Sequence, residues 1–160
     1  MKKNDYLLIF LGIFTLVLQT TVFVKYISIF NFTPDFLAIF VILFTLNNDF
    51  KKSIYFALFL GLLQDFLTPS IFVFNTISKV ILSIITYSVK RQFYLSEMWY
   101  KSILIIGLSV VDIAFKTLLI FLKTGIFYFS QNYVIYIVLN FIIFYLFAIN
   151  NRFFNKEQYS

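Results

Sequence analysis

Residues 51–70 read KKSIYFALFLGLLQDFLTPS. Two lysines precede an apolar run that ends in a Thr-Pro-Ser turn, so the run predicts a helix between two polar boundaries. Small residues and one carboxylate recur in it at every fourth position, namely Ser53, Ala57, Gly61 and Asp65. That spacing places them on one face of the helix, where small side chains let a neighbouring helix come close. We therefore expect Ser53, Ala57 and Gly61 to form a helix-packing face.

The composition of the whole chain excludes most classes of soluble protein. Of the 160 residues, 61% are hydrophobic and 12% are charged, which is about half the charged fraction of a typical globular domain. The absence of Cys and His excludes disulfides, thiolate nucleophiles and imidazole acid–base catalysis. The four glycines are too scattered to form a phosphate-binding loop. We expect no enzyme activity, no catalytic residue, no cofactor and no metal.

Charged residues and prolines divide the chain into six apolar runs. The sequence therefore predicts an all-α polytopic membrane protein, in which residues 1–160 form one integral membrane domain of six transmembrane helices. The predicted spans are residues 6–24, 34–46, 53–68, 71–89, 102–122 and 133–149. The second and third are shorter than the ~20 residues of a perpendicular crossing, so we expect the bilayer or neighbouring helices to adapt there.

The distribution of Lys and Arg predicts the orientation of these spans. One side of the membrane would hold nine cations, which are Lys2, Lys3, Lys51, Lys52, Lys90, Arg91, Lys101, Arg152 and Lys156. The other side would hold two, Lys25 and Lys123. Because cytoplasmic loops are enriched in cations, both termini are expected in the cytoplasm. The net charge of +6 is thus assigned to membrane orientation and not to nucleic-acid binding, and the loop cations at 51–52 and 90–91 would attract anionic lipid headgroups.

Four ionisable residues fall inside the predicted spans: Asp65, Lys79, Asp112 and Lys116, with Asn75 near them in sequence. Each unpaired charge near the bilayer centre would cost at least ~2.5–3.5 kcal/mol, so we expect these groups to face one another in an intramembrane polar network. Asp112 precedes Lys116 by four residues, the favourable order for a helical ion pair. The network has three interpretations: charges that fix helix packing, a substrate or ion site, or a docking surface for a partner helix.

The order of short motifs resembles one known family. A Pro-Asp pair precedes the second span, a basic loop follows that span, and a Gly-x-x-x-Asp motif ends the third span before the Thr-Pro-Ser turn. The residues that carry the resemblance are Pro34, Asp35, Gly61 and Asp65. This pattern is similar to that of the rod shape-determining protein MreD family, most closely over residues 34 to about 91. Phe74 departs from it, since a Gly is more usual there.

The resemblance implies a non-enzymatic scaffold of the bacterial cell-elongation (rod) complex, which maintains cell shape through peptidoglycan synthesis. It implies a multi-pass protein of the bacterial cytoplasmic (inner) membrane. The partner would be the single-span protein MreC, with the actin-like MreB, the glycosyltransferase RodA and a class B penicillin-binding protein in the same complex. The fold would be similar to that of the substrate-binding components of energy-coupling-factor transporters.

That last similarity supplies an alternative function. A substrate-binding subunit of an energy-coupling-factor vitamin transporter would need a polar pocket, which the four intramembrane charges could line. A small ion-coupled transporter, with Asp65 as its protonation site, is a third possibility, although no internal repeat supports it. In the scaffold interpretation, the partner helix would pack on the face of Ser53, Ala57 and Gly61. If the fourth span already covers that face, the outer faces of the first two spans are the expected surfaces.

Overall fold

The computed structural model describes residues 3–20, 36–67, 74–126 and 133–149. These ranges form helices and short turns, with no strand among them, as the all-α prediction requires. The helices are α1 Lys3–Thr20, α2 Phe36–Asn47, α3 Phe50–Leu67, α4 Phe74–Leu95, α5 Met98–Thr124 and α6 Tyr133–Ile149. The Pro-Asp pair at 34–35, the turn at 68–70, and the cations at 2, 25, 152 and 156 lie outside the described residues.

Helix α2 occupies the centre of the bundle. Every side chain from Leu37 to Leu46 is buried, and α2 packs against each of the other five helices. The rings of Phe44 and Phe56 stack at a centroid distance of 4.0 Å where α2 meets α3. A helix that is apolar on all sides needs cover on all sides. The sequence of α2, FLAIFVILFTLN, therefore specifies the enclosed position.

Helices α3 and α4 form an antiparallel pair. The end of α3 contacts the start of α4 through Asp65 and Asn75, whereas the start of α3 contacts the C-terminal half of α4 through the rings of Phe50 and Tyr87, 5.1 Å apart. This is the hairpin that the Thr-Pro-Ser turn predicts. It brings the small-residue face of α3 against the polar face of α4.

Helix α4 is longer than the predicted fourth span. It continues to Leu95, so Lys90 and Arg91 belong to the helix and not to a loop. The physical reason is the environment of Lys90, whose side chain is buried and donates a hydrogen bond of 2.6 Å to the carbonyl of Asn48. The prediction that Lys90 lies in a lipid-facing loop was wrong. Likewise α3 already begins at Phe50, which places Lys51 and Lys52 in its first turn.

Helix α5 is the one described helix that is long and apolar enough to cross a membrane. It has 27 residues and is therefore about 40 Å long. Gly125 ends it in the left-handed conformation, with φ of 69°, and donates its N–H to the carbonyl of Phe121. The shorter apolar stretches are Tyr6–Val17, Phe36–Asn47 and Tyr133–Leu146. At 12 residues, α2 reaches only about 18 Å, and α3 and α4 both carry lysines.

Candidate functional site: buried charges at helix ends and between helices

Asp65 of α3 binds the N-terminal end of α4. One carboxylate oxygen accepts the backbone N–H of Asn75 at 3.1 Å. The other accepts the backbone N–H of Thr76 at 3.0 Å and its hydroxyl at 2.6 Å. The first backbone N–H groups of a helix have no partner inside that helix, and a negative charge is favoured there by the helix dipole. Asp65 is buried, and it serves as an N-terminal cap supplied by a different helix.

Gly61 makes this cap possible, because it lets the start of α4 come close to α3. A Cβ atom added at Gly61 would lie 2.5 Å from the Cα of Thr76 and 3.3 Å from the carbonyl oxygen of Asn75. Both neighbours are backbone atoms, so neither can move aside by a rotamer change. Gly61 and Asp65 lie one turn apart on α3 and act on the same two residues of α4. The Gly-x-x-x-Asp spacing therefore describes one tight helix contact.

Asp112 of α5 joins three helices. One of its carboxylate oxygens accepts a hydrogen bond of 2.6 Å from the hydroxyl of Ser78 on α4. The other accepts bonds of 2.6 Å from the ammonium group of Lys116 and from the hydroxyl of Tyr136 on α6. The spacing of Asp112 and Lys116 thus forms the expected ion pair, in which the Asp112 side chain is fully buried and that of Lys116 is 23% exposed. We call these four residues the Asp112 cluster.

A second polar contact lies one turn from the Asp112 cluster. The side-chain amide of Asn140 on α6 donates a hydrogen bond of 3.2 Å to the hydroxyl of Ser109 on α5. Asn140 is 1% exposed, and its side-chain oxygen has no hydrogen-bond partner among the described residues. This contact continues the polar seam between α5 and α6.

At the opposite end of α4, two side chains bind the C-terminal end of α2. The hydroxyl of Tyr94 donates a hydrogen bond of 2.9 Å to the carbonyl of Leu46, and Lys90 donates to the carbonyl of Asn48. The last carbonyl groups of a helix lack partners within it, and a positive charge is favoured beside them. Nearer the middle of α4, the hydroxyl of Ser83 lies 3.0 Å from the hydroxyl of Thr45 on α2.

The two carboxylates of the predicted polar network, Asp65 and Asp112, bind different partners. Asp65 binds Asn75 and Thr76 at the start of α4, whereas Asp112 binds Lys116 and the two hydroxyls of its cluster. Asn75 takes part through its backbone N–H. Lys79 is completely buried, in the turn of α4 that also carries Ser78.

The predicted helix-packing face is occupied within the chain itself. Ser53, Ala57 and Gly61 are all buried, and Gly61 lies directly against the backbone of Thr76. The same holds for the second predicted span, since α2 has no exposed face between Leu37 and Leu46. Of the surfaces considered for a partner helix, the outer face of α1 remains exposed.

Sequence reasoning missed the cap at the end of α2. Lys90 and Tyr94 are four residues apart and share a helix face with the polar residues Ser83 and Thr86, so polar side chains recur at helical spacing to the end of α4. That periodicity was the available signal. It was overlooked because Lys90 and Arg91 together are typical of a cytoplasmic loop.

A cavity of about 320 Å³ lies between α5 and α6 and is separate from the buried charges. Its lining is apolar apart from two hydroxyl-bearing residues, and consists of Val110, Ile113, Ala114, Thr117, Leu118, Phe121 and Tyr133. Asp65, Lys79, Asp112 and Lys116 do not line it. Among the described residues, no group of three or more Asp, Glu, His or Cys side chains is placed to hold a metal ion.

No family model matches this chain, and neither the curated proteins nor the solved structures contain a significant match.

Proposed function

We propose that this chain is a non-enzymatic, multi-pass scaffold of the bacterial inner membrane, in a cell-elongation complex of the kind to which the MreD family belongs. The contact between α3 and the start of α4 carries the proposal. Gly61 and Asp65, the motif residues within the described part of the chain, both act on Asn75 and Thr76. The four-residue spacing thus lets both residues contact the start of α4. This is expected if the two motif residues are needed for the scaffold to fold.

The distribution of apolar side chains supports insertion of the whole bundle in a membrane. Large apolar residues are exposed on five of the six helices, with Phe10 67% exposed, Phe66 71%, Leu122 71% and Leu146 64%. The interior, in contrast, contains charged and polar side chains such as Lys79. Extensive apolar surface is costly in water and favourable in lipid. Only 28% of the apolar stretch of α5 is buried, unlike the core helix of a soluble protein.

The hydrogen bonds between buried side chains and the backbone groups of helix ends are also consistent with a lipid environment. Water cannot bind the free N–H and C=O groups of a helix end that is buried in lipid or within the bundle, so side chains must do so. Asp65 binds such groups at the start of α4, and Lys90 and Tyr94 bind them at the end of α2. A bundle held in this way is a rigid frame on which a partner helix can pack.

The proposed partner is an MreC-like protein with a single transmembrane helix, and the proposed surface is the outer face of α1. That face exposes a row of large apolar side chains, which are Tyr6, Leu7, Phe10, Ile13, Phe14 and Val17. The rings of Phe10 and Phe14 stack at a centroid distance of 6.3 Å. Helices associate in lipid through van der Waals packing, and the two stacked rings form an apolar ridge against which a partner helix can pack.

The test is co-purification of the tagged chain with the MreC-like protein of the same genome in mild detergent. We expect a stoichiometric complex that survives a salt wash, since the contact is apolar. The double variant Phe10→Ala/Phe14→Ala should lose the partner, whereas Gly107→Leu on the exposed face of α5 should retain it, because a Cβ added at Gly107 meets nothing within 4 Å. Absence of a complex with the unmodified chain would contradict the proposed function.

The vitamin-transporter alternative makes a different demand on the structure. It needs a polar pocket lined by the intramembrane charges, whereas the cavity between α5 and α6 is apolar and has other lining residues. Native mass spectrometry of the purified chain distinguishes the two functions. A bound water-soluble small molecule, together with no binding of the MreC-like protein, would favour the transporter subunit.

A further inference from the structure

We propose that one end of the bundle binds the phosphate groups of anionic phospholipids. This end comprises the first turn of α3, the last two turns of α4 and the first turn of α5, and we call it the basic end. The proposal rests on the membrane insertion proposed above. It names the class of lipid that is bound, and it names Lys51 and Arg91 as the residues that select this class.

The two cations are brought to the same side of α4 by ring packing. The ring of Phe50, which precedes Lys51, packs against that of Tyr87 in a tilted arrangement with a centroid distance of 5.1 Å. Arg91 follows Tyr87 by four residues and therefore lies on the same face, one turn further along. Both Lys51 and Arg91 are exposed. Together they present an ammonium and a guanidinium group, of which the guanidinium is suited to bidentate binding of phosphate.

The described acidic residues near the basic end, Asp49 and Glu97, bind other groups. Asp49 lies 3.5 Å from Lys52 in an ion pair. Glu97 accepts a hydrogen bond of 2.9 Å from the indole N–H of Trp99. Neither contact involves Lys51 or Arg91, and both of these side chains are exposed.

Exposed apolar residues adjoin these cations at the junction of α4 and α5. Leu95 is 68% exposed, Met98 41% and Trp99 63%. A tryptophan beside cations is typical of the headgroup level of a bilayer, where the ring is partly in lipid and the charges reach phosphate. At the opposite end of these helices, the exposed cation among the described residues is Lys123. Its amine lies 5.7 Å from the ring centroid of Phe74. The two ends therefore differ in the number of exposed cations.

Trp99 is the only tryptophan of the chain, so its fluorescence reports on the basic end alone. The experiment reconstitutes the full chain in nanodiscs of equal parts phosphatidylglycerol and phosphatidylcholine. In one sample the phosphatidylglycerol carries brominated acyl chains, which quench tryptophan on contact, and in the other the phosphatidylcholine does. We expect stronger quenching by brominated phosphatidylglycerol. Each of Arg91→Gln and Lys51→Gln should reduce the preference about fivefold, and Lys123→Gln should leave it unchanged.

Each other outcome overturns a distinct statement. Equal quenching by the two lipids in the unmodified chain, or an equal loss of preference in Lys123→Gln, would overturn the lipid site. Loss of the preference on adding inorganic phosphate at constant ionic strength would show a free-phosphate site in its place. Absence of quenching by either lipid would instead contradict membrane insertion, and with it the proposed function.

Discussion

The start of α4 is held by a negatively charged side chain, whereas a positively charged side chain holds its end. At its start, the carboxylate of Asp65 on α3 reaches the N–H groups of α4. Near its end, α4 itself supplies the ammonium of Lys90 and the hydroxyl of Tyr94 to carbonyl groups at the end of α2. In both places the sign of the buried charge matches the helix end that it binds. The difference is that one end also needs Gly61 for close backbone contact, whereas the other is bridged by long side chains.

The largest expected effect follows from removing the acceptor at the start of α4. Asp65→Ala leaves two backbone N–H groups and the hydroxyl of Thr76 without that partner, which should lower the free energy of unfolding by about 4 kcal/mol. The measurement is the thermal unfolding midpoint in detergent, with the exposed Asp49→Ala as the matched control. If Asp65→Ala is as stable as the unmodified chain but loses the MreC-like partner, Asp65 serves binding and not the frame.

A substitution at Gly61 tests the close backbone contact between α3 and α4 while the charge of Asp65 is kept. Gly61→Ala places a methyl group 2.5 Å from the Cα of Thr76, and overpacking against backbone should cost about 3 kcal/mol. Gly107→Ala is the matched control, because nothing lies within 4 Å of its added Cβ. It should raise helix stability by up to about 1 kcal/mol. Equal melting curves for the two variants would show that α3 and α4 do not approach as described.

At the other end, Lys90→Met keeps the length of the side chain and removes the ammonium group. The carbonyl of Asn48 loses a charged donor, which should cost about 2 kcal/mol. Chemical denaturation in mixed micelles gives the value, and Arg91→Met, one position further and exposed, is the control. A cost for Lys90→Met as large as that for Asp65→Ala would mean that the two ends are equally demanding.

The smallest expected effect is that of Tyr94→Phe, which removes one hydroxyl. The lost hydrogen bond to the carbonyl of Leu46 should cost about 1 kcal/mol. Tyr55→Phe serves as the control, since Tyr55 is 71% exposed. A double-mutant cycle with Lys90→Met then measures whether the two donors act independently. Coupling near zero is expected if each binds its own carbonyl, and strong coupling would show one shared cap.

Local spacing within each helix is predictable from the sequence, whereas contacts between helices are not. The four-residue spacing of Gly61 and Asp65, and that of Asp112 and Lys116, are local patterns, so the face of each helix could be predicted. The partners of these residues could not, since Thr76, Ser78 and Tyr136 lie on other helices and are ordinary hydroxyl residues in sequence. Lys90 was assigned to the wrong environment because a buried lysine and a loop lysine have the same sequence signature until its acceptor on α2 is known.

The enclosure of α2 has a consequence for biosynthesis. Helix α2 is synthesised before the four helices α3 to α6. All of its contacts can form only when α6, beginning at Tyr133, has been synthesised. At ribosomal speeds of about 5–20 residues per second, this interval is on the order of ten seconds. During it, the part of α2 that α6 covers lacks that contact. A chain truncated before α6 therefore leaves that part of α2 exposed.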